Sequence, residues 1–233
     1  NVILPFSDEE EKIYVANLAK VNEELQQLYD IEGSDKMQIL KMLTRLRQLC
    51  LEPRLVYDNI DQPSSKLKAC MELIKTMQEN KQKVLLFSSF TSALDLIAEE
   101  CQKAGITYYM LTGSTNKEER RELVSRFQKD DTTLFLISLK AGGTGLNLTS
   151  AENVIHYDPW WNVSAQNQAT DRAYRIGQKS NVQVFNLVMK DSVEEKIIEM
   201  QKRKKELADM FVENNSGGLS QMSKEDILSL FTM

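Results

Sequence analysis

Short apolar runs alternate along the middle of the chain with longer stretches of helical periodicity, and that alternation leaves few folds open. Val84 to Phe87, Thr107 to Leu111, Thr133 to Ile137, Val154 to Tyr157 and Val182 to Val188 read as strands. The first is continuously apolar, as a strand covered on both faces must be. Between them, Leu94, Ile97 and Cys101 mark a helix that Gly105 closes, and Asn116 opens another with Leu123, Val124 and Phe127 facing inward. Strands alternating with helices specify a parallel sheet, an α/β class with right-handed crossovers.

In such sheets ligands gather at the carboxyl ends of the strands. Ser88 and Ser89, Gly113 and Ser114, Lys140 to Gly145, and Asp158 to Asn162 all follow strand ends, so they are expected to share one rim. Gly142, Gly143 and Gly145 permit a tight backbone whose N–H groups converge on an anion. Gln166 to Gln178, reading QNQATDRAYRIGQ, opens with a polar helix carrying Arg172 and Arg175. At i, i+3 both guanidinium forks leave one helical face, and a planar, permanently charged fork matches phosphate oxygens.

The two ends are helical. Ser7 and Glu10 have capping-box spacing, followed by a stripe of Tyr14, Leu18, Val21, Leu25 and Leu28 that Gly33, Ser34 and Asp35 break. Val2 to Phe6 ahead of Asp8, Glu9 and Glu10 superficially suggests a strand ending in a magnesium motif. Pro5 and the capping box favour a loop entering a helix. A second helix uses Met37, Leu40, Leu43 and Cys50 and stops at Pro53. Asp58 to Ser65 reads as a linker before a helix marked by Leu67, Met71, Ile74 and Met77. Ser192 with Glu195 opens the last long helix, whose basic run Lys202 to Lys205 is balanced by acidic residues and reads as a solvated face. Asn214 to Ser220 reads as a flexible linker, and Ser223 to Leu230 as a terminal amphipathic helix.

With 233 residues, 42% of them hydrophobic, the chain is long enough for one real core plus a helical attachment. It contains no apolar run near the roughly 18 to 20 residues that cross a bilayer. Beginning at Asn1 with no signal-peptide pattern, it reads as a fragment of an intracellular protein. Cys50, Cys70 and Cys101 have no CxxC spacing, which fits a reducing compartment, bacterial cytoplasm or nucleus, and argues against zinc. The single histidine, His156, lies in an apolar strand and reads as structural. A net charge of -5 runs against a broad nucleic-acid-binding face, so any such contact must be local.

SLKAGGTGLNLTSAENVIHYD, the WN pair at Trp161 and Asn162, and QATDRAYRIGQ resemble the fifth and sixth motifs of SWI/SNF-type DNA translocases in helicase superfamily two. KVLLFSSFTSALDLI and YYMLTGSTNKEERRELVSRF resemble the fourth motif and the segment behind it. The resemblance covers nearly the whole chain. It implies a RecA-like C-terminal helicase lobe over residues 64–190, an N-terminal helical segment and linker over 1–63 placed between lobes, and a brace helix with tail over 191–233.

The resemblance also implies ATP with Mg2+, both held mainly by an absent preceding lobe. None of the nine glycines here is followed by lysine, so no P-loop is present. Arg172 and Arg175 are then arginine fingers, with Gln168, Gly143 and Gly145 completing the ATP contacts. Ser88, Ser89, Gly113, Ser114, Lys140, Ala141, Gly142, Trp161 and Asn162 are the expected contacts to double-stranded DNA, Trp161 exposed at the rim. The expected partners are duplex DNA, the preceding lobe of the same polypeptide and a DNA-bound protein. The fragment alone is expected to be inactive as an ATPase. Ser89 where Gln is common, Thr112 for Asp, Val163 for Pro and Tyr174 for His are departures that bear on subfamily. A strand-separating helicase lobe and a noncatalytic RecA-like binding module are the alternatives.

Overall fold

The computed structural model describes residues 1–29, 36–142, 146–173, 181–210 and 230–231. The chain divides into two compact units, one formed by residues 1–2 and 67–188 and the other by 3–66 and 189–233. The expected N-terminal and C-terminal helical segments thus fall in one unit, and most of the sheet in the other.

The strands are β1 (Val2–Leu4), β2 (Val84–Ser88), β3 (Tyr108–Leu111), β4 (Leu134–Ser138), β5 (Asn153–His156) and β6 (Gln183–Met189), in the sheet order β1-β6-β5-β2-β4-β3. All four ladders among β2 to β6 are parallel. Ser88 stands opposite Ser138, Phe87 opposite His156 and Leu111 opposite Ile137, so the carboxyl ends of four strands arrive together. Each predicted strand lies within one residue of its observed bounds.

Val2 to Leu4 is a correction: these residues form a strand, not a loop. Pro5 follows the last of them, where a missing N–H costs an edge strand nothing. The Leu4 carbonyl accepts from the Lys190 N–H at 2.8 Å.

The helices of the sheet-bearing unit follow their side-chain periods. In α3 (Ser65–Glu79), Leu67, Met71, Ile74 and Met77 are buried. α4 (Thr91–Ala104) buries Leu94, Ile97 and Cys101 and ends at Gly105 with φ +68°, a left-handed cap that favours glycine. α5 (Lys117–Lys129) is capped by Asn116, whose side chain accepts from the Glu119 N–H at 2.9 Å. Alternate residues Leu85 and Phe87 of β2 and Phe135 and Ile137 of β4 share one face and one core with Phe127 of α5. Leu146, Leu148 and Ala151 enter that same core, tying the segment after the glycines to the sheet.

The other unit contains α1 (Asp8–Tyr29), α2 (Lys36–Leu51), a 3-10 turn (Pro53–Leu55) and the C-terminal helix (Val193–Met210). Ser7 and Glu10 form the predicted reciprocal cap, the Ser7 N–H reaching the Glu10 carboxylate at 2.8 Å. Tyr14, Leu18, Val21 and Leu25 are buried as a stripe. In α2 the buried line runs through Ile39, Leu43, Leu46 and Cys50, leaving Met37 exposed at 57%; the helical face is rotated from the one expected. The cap at Ser192 also differs. Its hydroxyl donates to the Met189 carbonyl at 2.7 Å, while Glu195 accepts from the Asp191 N–H at 2.7 Å. The break at Gly33 to Asp35, Leu28's place in the stripe, Lys204 and Lys205 of the basic run, and the tail from Asn214 to Ser229 lie outside the described side chains.

A buried ion pair closes this unit. Lys66 Nζ donates to both carboxylate oxygens of Glu194 at 2.7 Å, the two side chains 0% and 1% exposed. Glu194 also accepts from the Met189 N–H at 2.8 Å. The neighbouring Val193 N–H donates to the Tyr14 hydroxyl at 2.8 Å.

Candidate functional site

Four parallel strand ends set the rim, and each hands its chain to a different local device. After β2, Ser88 is buried and its hydroxyl donates to Asp158 at 2.7 Å. The Ser89 N–H donates to the same carboxylate at 3.0 Å, and the Ser89 hydroxyl donates to its other oxygen. Asp158, two residues past β5 and 1% exposed, therefore ties the ends of adjacent strands β2 and β5. The Ser88 hydroxyl, expected at the DNA, is engaged within the rim by Asp158. Sequence reading missed Asp158 as the organising group, because strand adjacency is not encoded in either local segment.

After β3, the chain turns through Thr112 to Thr115. Thr115 Oγ1 accepts from the Thr112 N–H at 3.1 Å, and the Thr112 and Ser114 hydroxyls lie 2.8 Å apart. Gly113 and Ser114 are exposed at the tip. A Cβ at Gly113 would meet open space, so the glycine leaves room there for a close backbone approach.

After β4 the expected glycine loop begins instead as a helical turn, α6 (Leu139–Gly142). Lys140 points outward and Ala141 is buried at 3% exposure, so of these two only Lys140 offers a side chain at the rim. Gly142 ends the turn; Gly143 and Gly145 lie outside the described residues. Arg120 of α5 donates to the Ala141 carbonyl at 3.3 Å, a second supporting contact that sequence reading missed. Lys117, Arg120 and Arg121 line a cleft of about 700 Å³ that Leu146 and Asn147 complete. The cations on this side of α5 make the local surface basic despite the acidic whole.

After β5 come the two tryptophans. Trp161 is buried at 8% exposure, whereas Trp160 is half-buried, which reverses the expected assignment. Gln166 accepts from the Trp160 N–H at 3.2 Å and holds the loop against the following helix, which leaves the Trp161 indole inward, where its large apolar area is best hidden. Asn162 is half-buried, and its carbonyl accepts from the Gln166 N–H at 3.2 Å.

The arginine segment is shorter in helix than its sequence suggests. α7 runs from Val163 to Thr170, and residues 171–173 continue as a turn. There Arg172 N–H donates to the Ala169 carbonyl at 3.2 Å and Ala173 N–H to the Thr170 carbonyl at 3.1 Å, the i to i−3 bonds of a tightening helix end. Arg172 thus lies beyond the helix, not on its face, and its side chain is 6% exposed. Arg175 lies outside the described residues. Gln168 is exposed on α7. The Arg172 carbonyl accepts from the Leu148 N–H at 3.0 Å, joining the arginine segment to the run that follows the glycines.

His156, at the end of β5, is 1% exposed, stacks on Phe87 with centroids 5.7 Å apart, and lies 2.9 Å from Thr170 Oγ1 through Nε2. Burial pushes its pKa down to about 4, against the opposing pull of Asp158, so the ring is neutral near pH 7.

The helicase conserved C-terminal domain family matches residues 65–177. An uncharacterised ATP-dependent helicase of Mycoplasma pneumoniae is 36% identical over 89% of this chain and 20% of its own length. The SWI/SNF-related matrix-associated actin-dependent regulator of chromatin subfamily A member 1 of Mus musculus is 35% identical over 84% of this chain, again 20% of the relative. The chain therefore spans about a fifth of the length of these curated relatives. The Sulfolobus solfataricus SWI2/SNF2 ATPase core in complex with dsDNA superposes with a TM-score of 0.78 at 30% identity, covering 99% of this chain and 49% of that one. Parallel topology, the loops gathered at one rim and these similarities together make the chain a member of the SWI/SNF-type ATPases of helicase superfamily two, corresponding to their C-terminal RecA-like lobe.

Proposed function

We propose that this chain is the C-terminal half of an ATP-dependent double-stranded DNA translocase that acts on nucleoprotein. It completes an ATP site whose phosphate cradle and magnesium lie on a preceding lobe. The observation that carries this reading is the Leu148 to Arg172 backbone bond of 3.0 Å. It makes the arginine segment and the run behind the glycines one mechanical piece, so a displacement felt at a nucleotide is passed directly to the rim.

ATP fits the donor set on this side. Arg172 and Arg175 are assigned to the γ-phosphate, with Gln168, Gly143 and Gly145 as the further ATP contacts. Arg172, nearly buried, acts at short range from a position its surroundings hold. Nucleotide bound on the preceding lobe supplies the phosphoryl group to be transferred to water. These arginines neutralise the charge that builds on it, a contribution of about a thousandfold or more in rate. Asp158 is buried and accepts from Ser88 and Ser89, and the magnesium ligands are assigned to the preceding lobe.

DNA is gripped through its backbone by groups at the rim: Ser89, Gly113, Ser114, Lys140, Gly142 and Asn162. Ser88, Ala141 and Trp161 hold those loops from beneath. Contacts of this kind carry no sequence information, so binding is nonspecific and salt-sensitive. A DNA-bound protein is the displaced cargo, and the reducing interior of a cell is the setting.

Triplex displacement and strand separation, measured on the longer polypeptide that includes the preceding lobe, test the reading. ATP-driven release of a third strand without separation of the duplex supports translocation. Separation of the duplex strands contradicts it, and absence of DNA-stimulated turnover assigns the lobe to a binding module.

A further inference from the structure

We infer that His156 is a positioning residue for the arginine segment: as a neutral imidazole it donates through Nε2 to Thr170 and so fixes the last turn of α7 and the Arg172 backbone beyond it. The inference rests on the reading that Arg172 serves a nucleotide phosphate.

The direction of the bond follows from counting protons. The Thr170 hydroxyl has one, and its Oγ1 donates to the Gln166 carbonyl at 3.3 Å. Its oxygen, 2.9 Å from His156 Nε2, is then the acceptor, and Nε2 must carry the proton. Nδ1 is left as a bare acceptor, buried with no hydrogen-bond partner among the described residues. A proton there would be an unsatisfied buried donor, the costlier arrangement. Burial also opposes a second proton on the ring, which keeps the donor neutral.

Geometry gives this bond its reach. Ala173 N–H donates to the Thr170 carbonyl, so Thr170 sits inside the turn that carries Arg172. At the other end, Gln166 accepts from the Trp160 N–H and donates to Asn186 of β6 at 2.9 Å. Asn186 in turn donates to Asn1 at 3.1 Å. Through His156, Thr170, Gln166 and Asn186, strand β5, helix α7, the tryptophan loop and strand β6 are joined by hydrogen bonds. The Phe87 ring stacked on His156 holds the imidazole plane.

Because His156 is the only histidine, the ring can be observed without assignment ambiguity. Nitrogen-15 spectra of the histidine-labelled chain at pH 7 are expected to show the Nε2–H tautomer with Nδ1 in the unprotonated range. Thr170→Val, which keeps shape and removes the hydroxyl, is expected to shift Nε2–H and leave the fold intact by its circular dichroism melt; Thr170→Ser restores the signal. In the longer polypeptide with the preceding lobe, Thr170→Val is expected to lower kcat about tenfold or more with KM for ATP unchanged, and Thr170→Ser to recover it. An Nδ1–H tautomer, or an Nε2–H signal indifferent to Thr170→Val, overturns the bond. Expected spectra with unchanged kcat, in a protein that Arg172→Ala silences, overturn the positioning role alone. Full turnover after Arg172→Ala removes the nucleotide reading and, with it, any positioning role for His156, while the spectra still decide the bond.

Discussion

Replacing Lys66 with Met should destabilise the helical unit, and the size of the loss can be worked from the ion pair. Lys66 Nζ donates to both Glu194 oxygens at 2.7 Å with neither side chain more than 1% exposed. At an effective dielectric of about 20, charges this close attract by roughly 6 kcal/mol before desolvation is subtracted. Removing one partner strands the other charge in the interior. The Glu194 carboxylate, which still accepts from the Met189 N–H, then costs about 3 to 5 kcal/mol. Lys66→Met with Glu194→Gln removes both charges of the pair and keeps an amide oxygen for the Met189 N–H, so the double variant should recover at least about 2 kcal/mol of that loss. Urea unfolding followed by far-ultraviolet circular dichroism measures both. For a slope of about 2 kcal/mol per molar, the single variant's midpoint falls by about 2 M. A fall under about 0.5 M, or a double variant no better than the single, would refute the argument that charge burial dominates here.

Other outcomes follow from the same structure. His156 has a pKa of about 4 in the folded chain against about 6.5 unfolded, so the unfolded state binds the extra proton between those values. The stability this neutral ring preserves is full above pH 6.5 and lost as pH falls toward 4, about 3 kcal/mol in all; His156→Phe should flatten the urea midpoint over that window. Asp158→Ala leaves the buried Ser88 hydroxyl and the Ser89 N–H without their acceptor and should cost about 2 to 3 kcal/mol, read as a lowered urea midpoint. Gly105→Ala meets open space but keeps φ +68°, so it should cost about 1 kcal/mol in the same assay through backbone strain alone.

Much of the fold was legible because its signals are local. Continuous apolar runs marked β2 and β4, and the caps at Ser7, Asn116 and Gly105 marked helix ends from residues within one turn. Three-residue β1 carries too little periodicity to separate from a loop, especially with Pro5 behind it. Lys66 and Glu194 are 128 positions apart, and nothing in either segment announces the other. The same limit hid Asp158, whose role depends on β2 and β5 being neighbours across the sheet. At the rim, residue types were readable but directions were not. Two adjacent tryptophans implied opposite orientations without saying which faced inward, and the polar run after Asn162 implied a helix without showing that it tightens before Arg172.

The split site is the central claim, and ATP turnover tests it most directly. Turnover with and without duplex DNA is compared for this chain, for the longer polypeptide containing the preceding lobe, and for that polypeptide carrying Arg175→Ala. The account predicts silence from the chain alone, DNA-stimulated turnover from the longer protein, and a loss of about a thousandfold in the variant. Turnover by this chain alone, or a variant as active as its parent, would contradict it.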